Sequence, residues 1–374
     1  MHSLILPYLL LVTFTTVPMK NFDVDKIRAI GTSPYNGIAV RLMYQYDTHL
    51  ISPSEFASQI AWMKKQTNKQ IWPWVFFNRF VGFDKESRAS SKESDHPYFR
   101  RIKTIDLENK AGAVEDFCFI WETALVVAKE LGSPGIVVDP EAYNNKNVHN
   151  FDYLVKRTGK SREEIQNLLR AIGARLADIV NETYPEAVIW SLFTGLGSLN
   201  TLPFPSLTSG HEPFAYVFLG MLEQCKKNNY RMTLISGGES TGYCFKSLQD
   251  LKQIMERRQE AFKSYVASYP NLKLAGTITP WDKVESKTSW LIGYKRCFES
   301  ELKDIEDFRP LISTMLNSYG HVWIYAAGAS GYNPYDLTAA APYNKALADC
   351  LSDFKQKGEA GTRAIQAVGT GVFR

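Results

Sequence analysis

Short apolar segments alternate with longer segments of helical periodicity along most of the chain, beginning near residue 37. Short apolar runs bounded by turn residues are typical of buried strands, and apolar positions recurring at a period of 3.6 indicate helices. Their alternation predicts βα units around a parallel sheet. Seven strands are predicted in this way: Gly37–Met43, Ile71–Phe77, Gly135–Val138, Ala187–Phe193, Met232–Ile235, Leu272–Ile278 and His321–Ala326.

An eighth strand has two candidates, Ile102–Ile105 and Phe214–Leu219, and the pattern does not choose between them. Nothing resembling a linker, an internal repeat or a shift in composition divides the 374 residues. The predicted fold is therefore α/β, a single-domain (β/α)8 TIM barrel over residues 20–374, with an open doubly wound sheet as the alternative.

Two helix starts carry capping signals. Ser52-Pro53-Ser54-Glu55 combines a capping box with proline at the first helical position, and Ser161-Arg162-Glu163-Glu164 is a second capping box. After the second box, apolar residues recur at helical spacing, so one face of that helix is expected to lie against the sheet.

The first nineteen residues differ from the rest, because Leu4 to Val17 is almost wholly apolar and the first Lys or Arg is Lys20. This pattern predicts a signal peptide over residues 1–19, and hence a secreted or extracytoplasmic protein. A packed N-terminal segment is the alternative. The run is short for a membrane span, so no stable span is expected.

Composition and charge exclude several classes of protein. With 45% hydrophobic residues the chain is too apolar for disorder, and its net charge of +4 comes from 43 basic and 39 acidic residues mixed along the sequence. Nucleic-acid binding is therefore not expected. Neither the five cysteines nor the histidines show metal-site spacing, so no metal or other cofactor is expected. The oligomeric state is left open.

Candidate chemistry is concentrated in Gly135-Ile136-Val137-Val138-Asp139-Pro140-Glu141-Ala142-Tyr143. Side chains on a strand alternate, so Asp139 and Glu141 are expected to point to the same side. Two carboxylates placed together raise the pKa of at least one of them. This is how an acid that is still protonated near neutral pH can arise.

The other predicted strands also end in polar and aromatic residues, and in a barrel the active site is built at these carboxyl ends. Acids perform glycosidic chemistry and aromatic rings stack on sugar faces, so the set indicates a carbohydrate substrate. The candidates beyond Asp139 and Glu141 are Trp74, Asn78, Arg79, Tyr143, Glu239, Trp281, Asp282, Trp323 and Tyr325.

The pattern Gly135-Ile136-x-Val138-Asp139-x-Glu141 resembles the fourth-strand signature G-I-D-x-D-x-E of the chitinase-like family-18 glycoside hydrolases. The resemblance implies a barrel in which Glu141 protonates the leaving oxygen. It also implies that Asp139 orients an N-acetyl group of the substrate, and that Trp323 lies under the sugar. Val137 stands where the family has its first Asp within the motif.

A retaining or inverting mechanism with two protein carboxylates is the other possibility, with Glu141 as general acid and Glu239 or Asp282 opposite. The two glycines before Glu239 allow the backbone to approach a ligand closely. Each carboxylate also has a structural explanation. Asp139 could cap the next helix, while Glu239 and Asp282 could form surface ion pairs.

The function predicted from these residues is that of a glycoside hydrolase acting on an oligo- or polysaccharide, with Glu141, Asp139 and Glu239 as its catalytic residues. Two other classes stay open. One is a metal-dependent, phosphodiesterase-like barrel hydrolase in which Asp139 and Glu141 bind a divalent cation through oxygen. The other is a sugar-binding barrel without catalysis.

Overall fold

The computed structural model describes residues 8–16, 24–41, 53–77, 105–110, 112–140, 150–199, 212–239, 248–280, 304–325, 334 and 336–369. The strands within these ranges are β1 (Tyr8–Thr16), β2 (Gly37–Arg41), β3 (Gln70–Phe76), β4 (Gly135–Asp139), β5 (Val188–Ser191), β6 (Thr233–Ser236), β7 (Leu272–Leu274), β8 (Gly276–Ile278) and β9 (His321–Tyr325). The helices are α1 (Val24–Thr32), α2 (Pro53–Gln66), α3 (Ala113–Glu130), α4 (Phe151–Thr158), α5 (Arg162–Thr183), α6 (Glu212–Asn228), α7 (Leu248–Ser268), α8 (Ile305–Tyr319) and α9 (Leu337–Gly369).

All neighbouring strands are parallel, in the order β7-β6-β5-β4-β3-β2-β1-β9-β8. The two strands at the ends of this order, β7 and β8, are separated in the chain only by Ala275. The first pairs with β6 and the second with β9, so together they fill a single position and join the two edges of the sheet. The nine segments therefore form a closed parallel barrel of eight positions, which confirms the predicted fold class.

The eighth position is held by β1, which sequence analysis did not identify as a strand. It lies between β2 and β9, with Leu10 opposite Gly37 and Trp323. The side chains of Leu9, Leu10 and Leu11 are fully buried. Parallel strands are covered on both faces, so their sequence is an uninterrupted apolar run and looks like the apolar part of a signal peptide. The boundary at residue 20 is therefore corrected, because the barrel includes residues 8–16, and export stays a prediction.

One of the two candidates for the eighth strand is wrong, and the other lies mostly outside the described residues. Phe214–Leu219 lies within α6, where a wide buried face makes almost every residue apolar and hides the helical period. Ile105 is buried but lies outside the strands, and residues 102–104 are outside the described ranges.

Alternation along each strand divides the buried residues into two sets. Leu9 and Leu11 point outward into the large core between strands and helices, whereas Leu10 and Val12 point into the barrel. The barrel interior is rich in indole rings, with Trp72, Trp74, Trp190 and Trp323 all buried there. This interior therefore consists of packed side chains and is not a pore.

Both helix starts that the capping residues predict are present in the structure. Ser161 caps α5, with its hydroxyl accepting from the Glu164 N–H at 3.2 Å and the Glu164 carboxylate accepting from the Ser161 N–H at 2.7 Å. The α2 helix begins at Pro53, as predicted. In the described part of the chain, no helix combines the length and apolar character required to cross a bilayer.

Candidate functional site at the carboxyl end of the barrel

The carboxyl ends of parallel strands lie together at one end of the barrel. Two of the predicted carboxylates, Asp139 and Glu239, lie at this end. Asp139 is the last residue of β4, and Glu239 follows the end of β6. The strand between them is β5, which pairs with both. The topology therefore brings together two acidic residues that are 100 positions apart in the sequence.

Asp139 lies on the inner side of β4. Val137, two residues earlier, is part of the barrel interior, and the period of two places Asp139 on the same side. Its side chain is only 1% exposed. The next described helix, α4, is capped by Asn150, which accepts from the N–H groups of Asp152 and Tyr153, so Asp139 is not the cap of that helix.

Leu192, the residue that follows β5, links the two carboxylate-bearing segments. The N–H of Leu192 donates to the carbonyl of Val138 at 2.9 Å, immediately before Asp139. The carbonyl of Leu192 accepts from the N–H of Glu239 at 2.8 Å. Two strand spacings of about 4.8 Å place the two main chains about 10 Å apart, a distance that carboxylate side chains can span or partly close.

Glu239 is half-buried at the end of a turn formed by Gly237 and Gly238. The N–H of Gly237 donates to the Ser191 carbonyl at 2.7 Å, which continues the β5–β6 pairing beyond the strand. Gly238 has a φ of +67°, a left-handed conformation that favours glycine. One carboxylate oxygen of Glu239, Oε2, is buried. Glu239 is therefore held by the barrel, unlike the side chain of an exposed surface loop.

Two of the predicted sugar-stacking residues have buried rings. Trp74 is 2% exposed and stacks on Phe76 at a centroid distance of 5.2 Å, and Trp323 is completely buried. A ring needs an open face to stack on a sugar, so these indoles lie beneath the site as packing and do not form its surface. Both are apolar interior positions of a closed barrel, which a linear sequence cannot distinguish from exposed positions at a strand end. Tyr325 is half-buried, with its ring 6.2 Å from that of Trp323.

The opposite, amino end of the barrel also contains polar side chains that sequence analysis missed. Tyr8 donates to Oε1 of Gln70, and the Nε1–H of Trp72 donates to the Tyr8 hydroxyl at 2.7 Å. Burial raises the pKa of Tyr8 above its ordinary value and lowers the pKa of His321 to about 4. These groups are neutral at pH 7 and close the amino end of the barrel, away from the carboxylates.

The remaining predicted site residues lie outside the described ranges: Asn78, Arg79, Glu141, Tyr143, Trp281 and Asp282. Within the described ranges, no group of three or more His, Cys, Asp or Glu side chains is arranged to hold a metal ion.

No protein-family model matches the chain, and no curated protein matches it. The chain is similar to the GH113 β-mannanase of Alicyclobacillus acidocaldarius, with 11% identity over 93% of this chain and 98% of that one and a TM-score of 0.48. It is also similar to a GH18 chitinase from Pseudoalteromonas aurantia, with 10% identity over 91% and 99% of the two chains and a TM-score of 0.44. A sugar phosphate isomerase/epimerase from Parabacteroides distasonis gives 12% identity over 93% and 97% and a TM-score of 0.43.

The second of these neighbours belongs to the family that the β4 motif resembles. At such identities and TM-scores the similarities carry no argument about activity. The class of protein, a parallel (β/α)8 barrel with two acidic residues at its carboxyl end, rests on the strand order and the hydrogen bonds described above.

Proposed function

We propose that this protein is a glycoside hydrolase whose reaction uses carboxylates at the carboxyl end of the barrel. The observation that carries the proposal is the hydrogen-bonded connection from β4 through Leu192 to Glu239. It gives Asp139 and Glu239 a fixed separation across one strand. A glycosidic bond is cleaved between an acid and a base or nucleophile, and we assign these two roles to Glu141, two residues beyond Asp139 in the sequence, and to Glu239.

In this proposal Glu141 is the general acid, Asp139 orients it or the substrate, and Glu239 is the second carboxylate. The main chains at Asp139 and Glu239 lie about 10 Å apart, so carboxylates carried by these two segments are compatible with either separation known for such enzymes, about 5–5.5 Å for retention and about 6.5–9.5 Å for inversion. The position of Asp139 supports a role in the site, because its side chain is buried on the inner side of β4 at the carboxyl end of the strand, where active sites of such barrels are built.

The test is hydrolysis of neutral, N-acetylated and acidic oligosaccharides by the wild type and by Glu141→Gln, Asp139→Asn and Glu239→Gln. Each protein is assayed with and without EDTA. Glu186→Gln is the matched control, because Glu186 precedes β5 at the opposite end of the barrel, where it pairs with Arg231 in solvent.

Chelator-insensitive turnover that survives in Glu186→Gln and falls by about 100-fold or more in Glu141→Gln and Glu239→Gln supports the proposal, since general acid–base catalysis contributes about 10²–10⁴. Turnover that is unchanged in both variants overturns the assignment of the carboxylates. Turnover abolished by EDTA favours the metal-dependent alternative, and binding without turnover favours a sugar-binding protein.

A further inference from the structure

The turn that carries Glu239 is contacted from both sides of the barrel wall. From inside the barrel, the buried Nε1–H of Trp323 donates to the Gly237 carbonyl at 2.9 Å. From outside, the Arg258 guanidinium donates to the carbonyl of Ser236, the residue before the turn, at 2.6 Å. Trp323 belongs to β9, which is distant from β6 in the sequence, and Arg258 belongs to α7, the helix that follows β6.

Arg258 is a charged residue on the buried face of α7. It follows Leu251, Ile254 and Met255 at helical spacing and is itself only 3% exposed. Its second hydrogen bond goes to the carbonyl of Ala275, the residue between β7 and β8, at 2.5 Å. Burial lowers the pKa of this guanidinium, because the charged form has lost its water.

In the part of the chain that the structure describes, no acid offsets this cost. Within the described residues, its contacts are two carbonyl oxygens and the rings of Phe262 and Tyr319, with centroid distances of 5.6 and 5.1 Å. A buried charge held in this way stabilises a fold less well than an apolar side chain of the same shape. A role in positioning the neighbouring turn explains the presence of a buried charge at this position better than a contribution to stability does.

Direct contact with the turn supplies that role. A Cβ added to Gly238 would lie 2.4 Å from Cζ of Arg258, so the guanidinium packs against the residue immediately before Glu239. A Cβ added to Gly237 would lie 2.9 Å from Nε1 of Trp323. Both glycines thus leave room for the two side chains, and the turn cannot shift without breaking their hydrogen bonds.

We infer that Trp323 and Arg258 are positioning residues for Glu239, which hold the Gly237–Gly238 turn in the one geometry that directs this carboxylate to the site. This inference rests on the proposed function, since it assigns Glu239 a place in the reaction. Neither residue is a catalytic residue, because each acts through the turn.

The first variant is Trp323→Phe, which retains a large aromatic ring and removes the N–H donor. Its matched control is Trp190→Phe. Trp190 is also buried in the barrel interior, and its indole N–H has no hydrogen-bond partner among the described residues. We expect kcat to fall by about 10- to 100-fold in Trp323→Phe with KM within about threefold, since a shift of about 1 Å at a reacting group has effects of that size. The control is expected to leave both constants within about threefold of the wild type.

The second pair is Arg258→Lys and Arg258→Met. Lys retains the charge but has a single donor nitrogen in place of the two that Arg258 uses, so it is expected to recover part of the kcat that Met loses. The pH–rate profile is expected to shift in Arg258→Met and not in Arg258→Lys, because release of the turn changes the surroundings of the Glu239 carboxyl group. A purely structural role would lower the folded fraction without changing the pH profile.

A readout that needs no substrate separates this inference from the proposed function. Carbodiimide-mediated amine labelling of Glu239, quantified by peptide mass spectrometry across pH, reports the state of the carboxyl group in each folded protein. A change in Glu239 labelling in Trp323→Phe and none in Trp190→Phe supports the positioning role, even if the wild type hydrolyses no sugar and the proposed function fails. Labelling and kcat equal in the two Trp variants overturn the inference, whether or not the Arg258 variants fold.

Discussion

The prediction with the largest expected effect concerns β1, the strand that the sequence pattern assigned to a signal peptide. A chain of residues 20–374 lacks this strand, and β2 and β9 then each lose a partner. Four consecutive side chains, Leu9 to Val12, are completely buried in the full chain. At about 1.5–3 kcal/mol for each buried aliphatic side chain, their burial contributes about 6–12 kcal/mol.

That amount is comparable to the whole stability of a typical domain, about 5–15 kcal/mol. We therefore expect residues 20–374 to lack a cooperative unfolding transition. The assay is urea and thermal unfolding followed by circular dichroism, with the full chain measured in parallel. Leu10→Ala in the full chain is expected to cost about 2–5 kcal/mol, whereas Val266→Ala at an exposed position should cost less than about 0.5 kcal/mol. Cooperative unfolding of residues 20–374 at the midpoint of the full chain would mean that β1 is not part of the barrel.

Three further predictions follow from other parts of the molecule. Burial lowers the pKa of His321 from 6.5 to about 4 in the folded protein. As the pH falls, this histidine is therefore protonated in the unfolded chain before it is protonated in the folded one. About 3 kcal/mol of the free energy of unfolding is lost between pH 6.5 and pH 4 as a result. Urea unfolding of His321→Gln should show a correspondingly weaker pH dependence than the wild type, and an identical one would contradict the assignment. Ser161→Ala removes the cap of α5 and should cost about 1 kcal/mol in the same assay, while an unchanged midpoint would mean that the cap contributes nothing. Gly238→Ala places a methyl group against Arg258 at a φ of +67°, so it should lower the midpoint and reduce turnover together, and wild-type values for both would contradict the geometry of the turn.

The position of Arg258 could have been found from the sequence, and its role could not. Leu251, Ile254, Met255 and Phe262 define the apolar face of α7, and Arg258 falls on that face at helical spacing. An arginine in such a place is a sequence-level sign that a charge is buried for a reason. Its partners, the carbonyls of Ser236 at the end of β6 and Ala275 between β7 and β8, become neighbours only in the barrel.

The sequence by itself determined most of the strands and their order, because apolar periodicity and capping residues act over a few neighbouring positions. Seven strand segments, the start of α5 at Ser161 and the delivery of Asp139 to a strand end all follow from such local patterns. The burial of Trp74 and Trp323 did not follow, because the inner face of a closed barrel and an exposed strand end have the same alternation in a sequence. Only the tertiary structure showed that Tyr8–Thr16 completes the barrel and that Leu192 joins Asp139 and Glu239, since both depend on pairing between strands that are far apart in the chain.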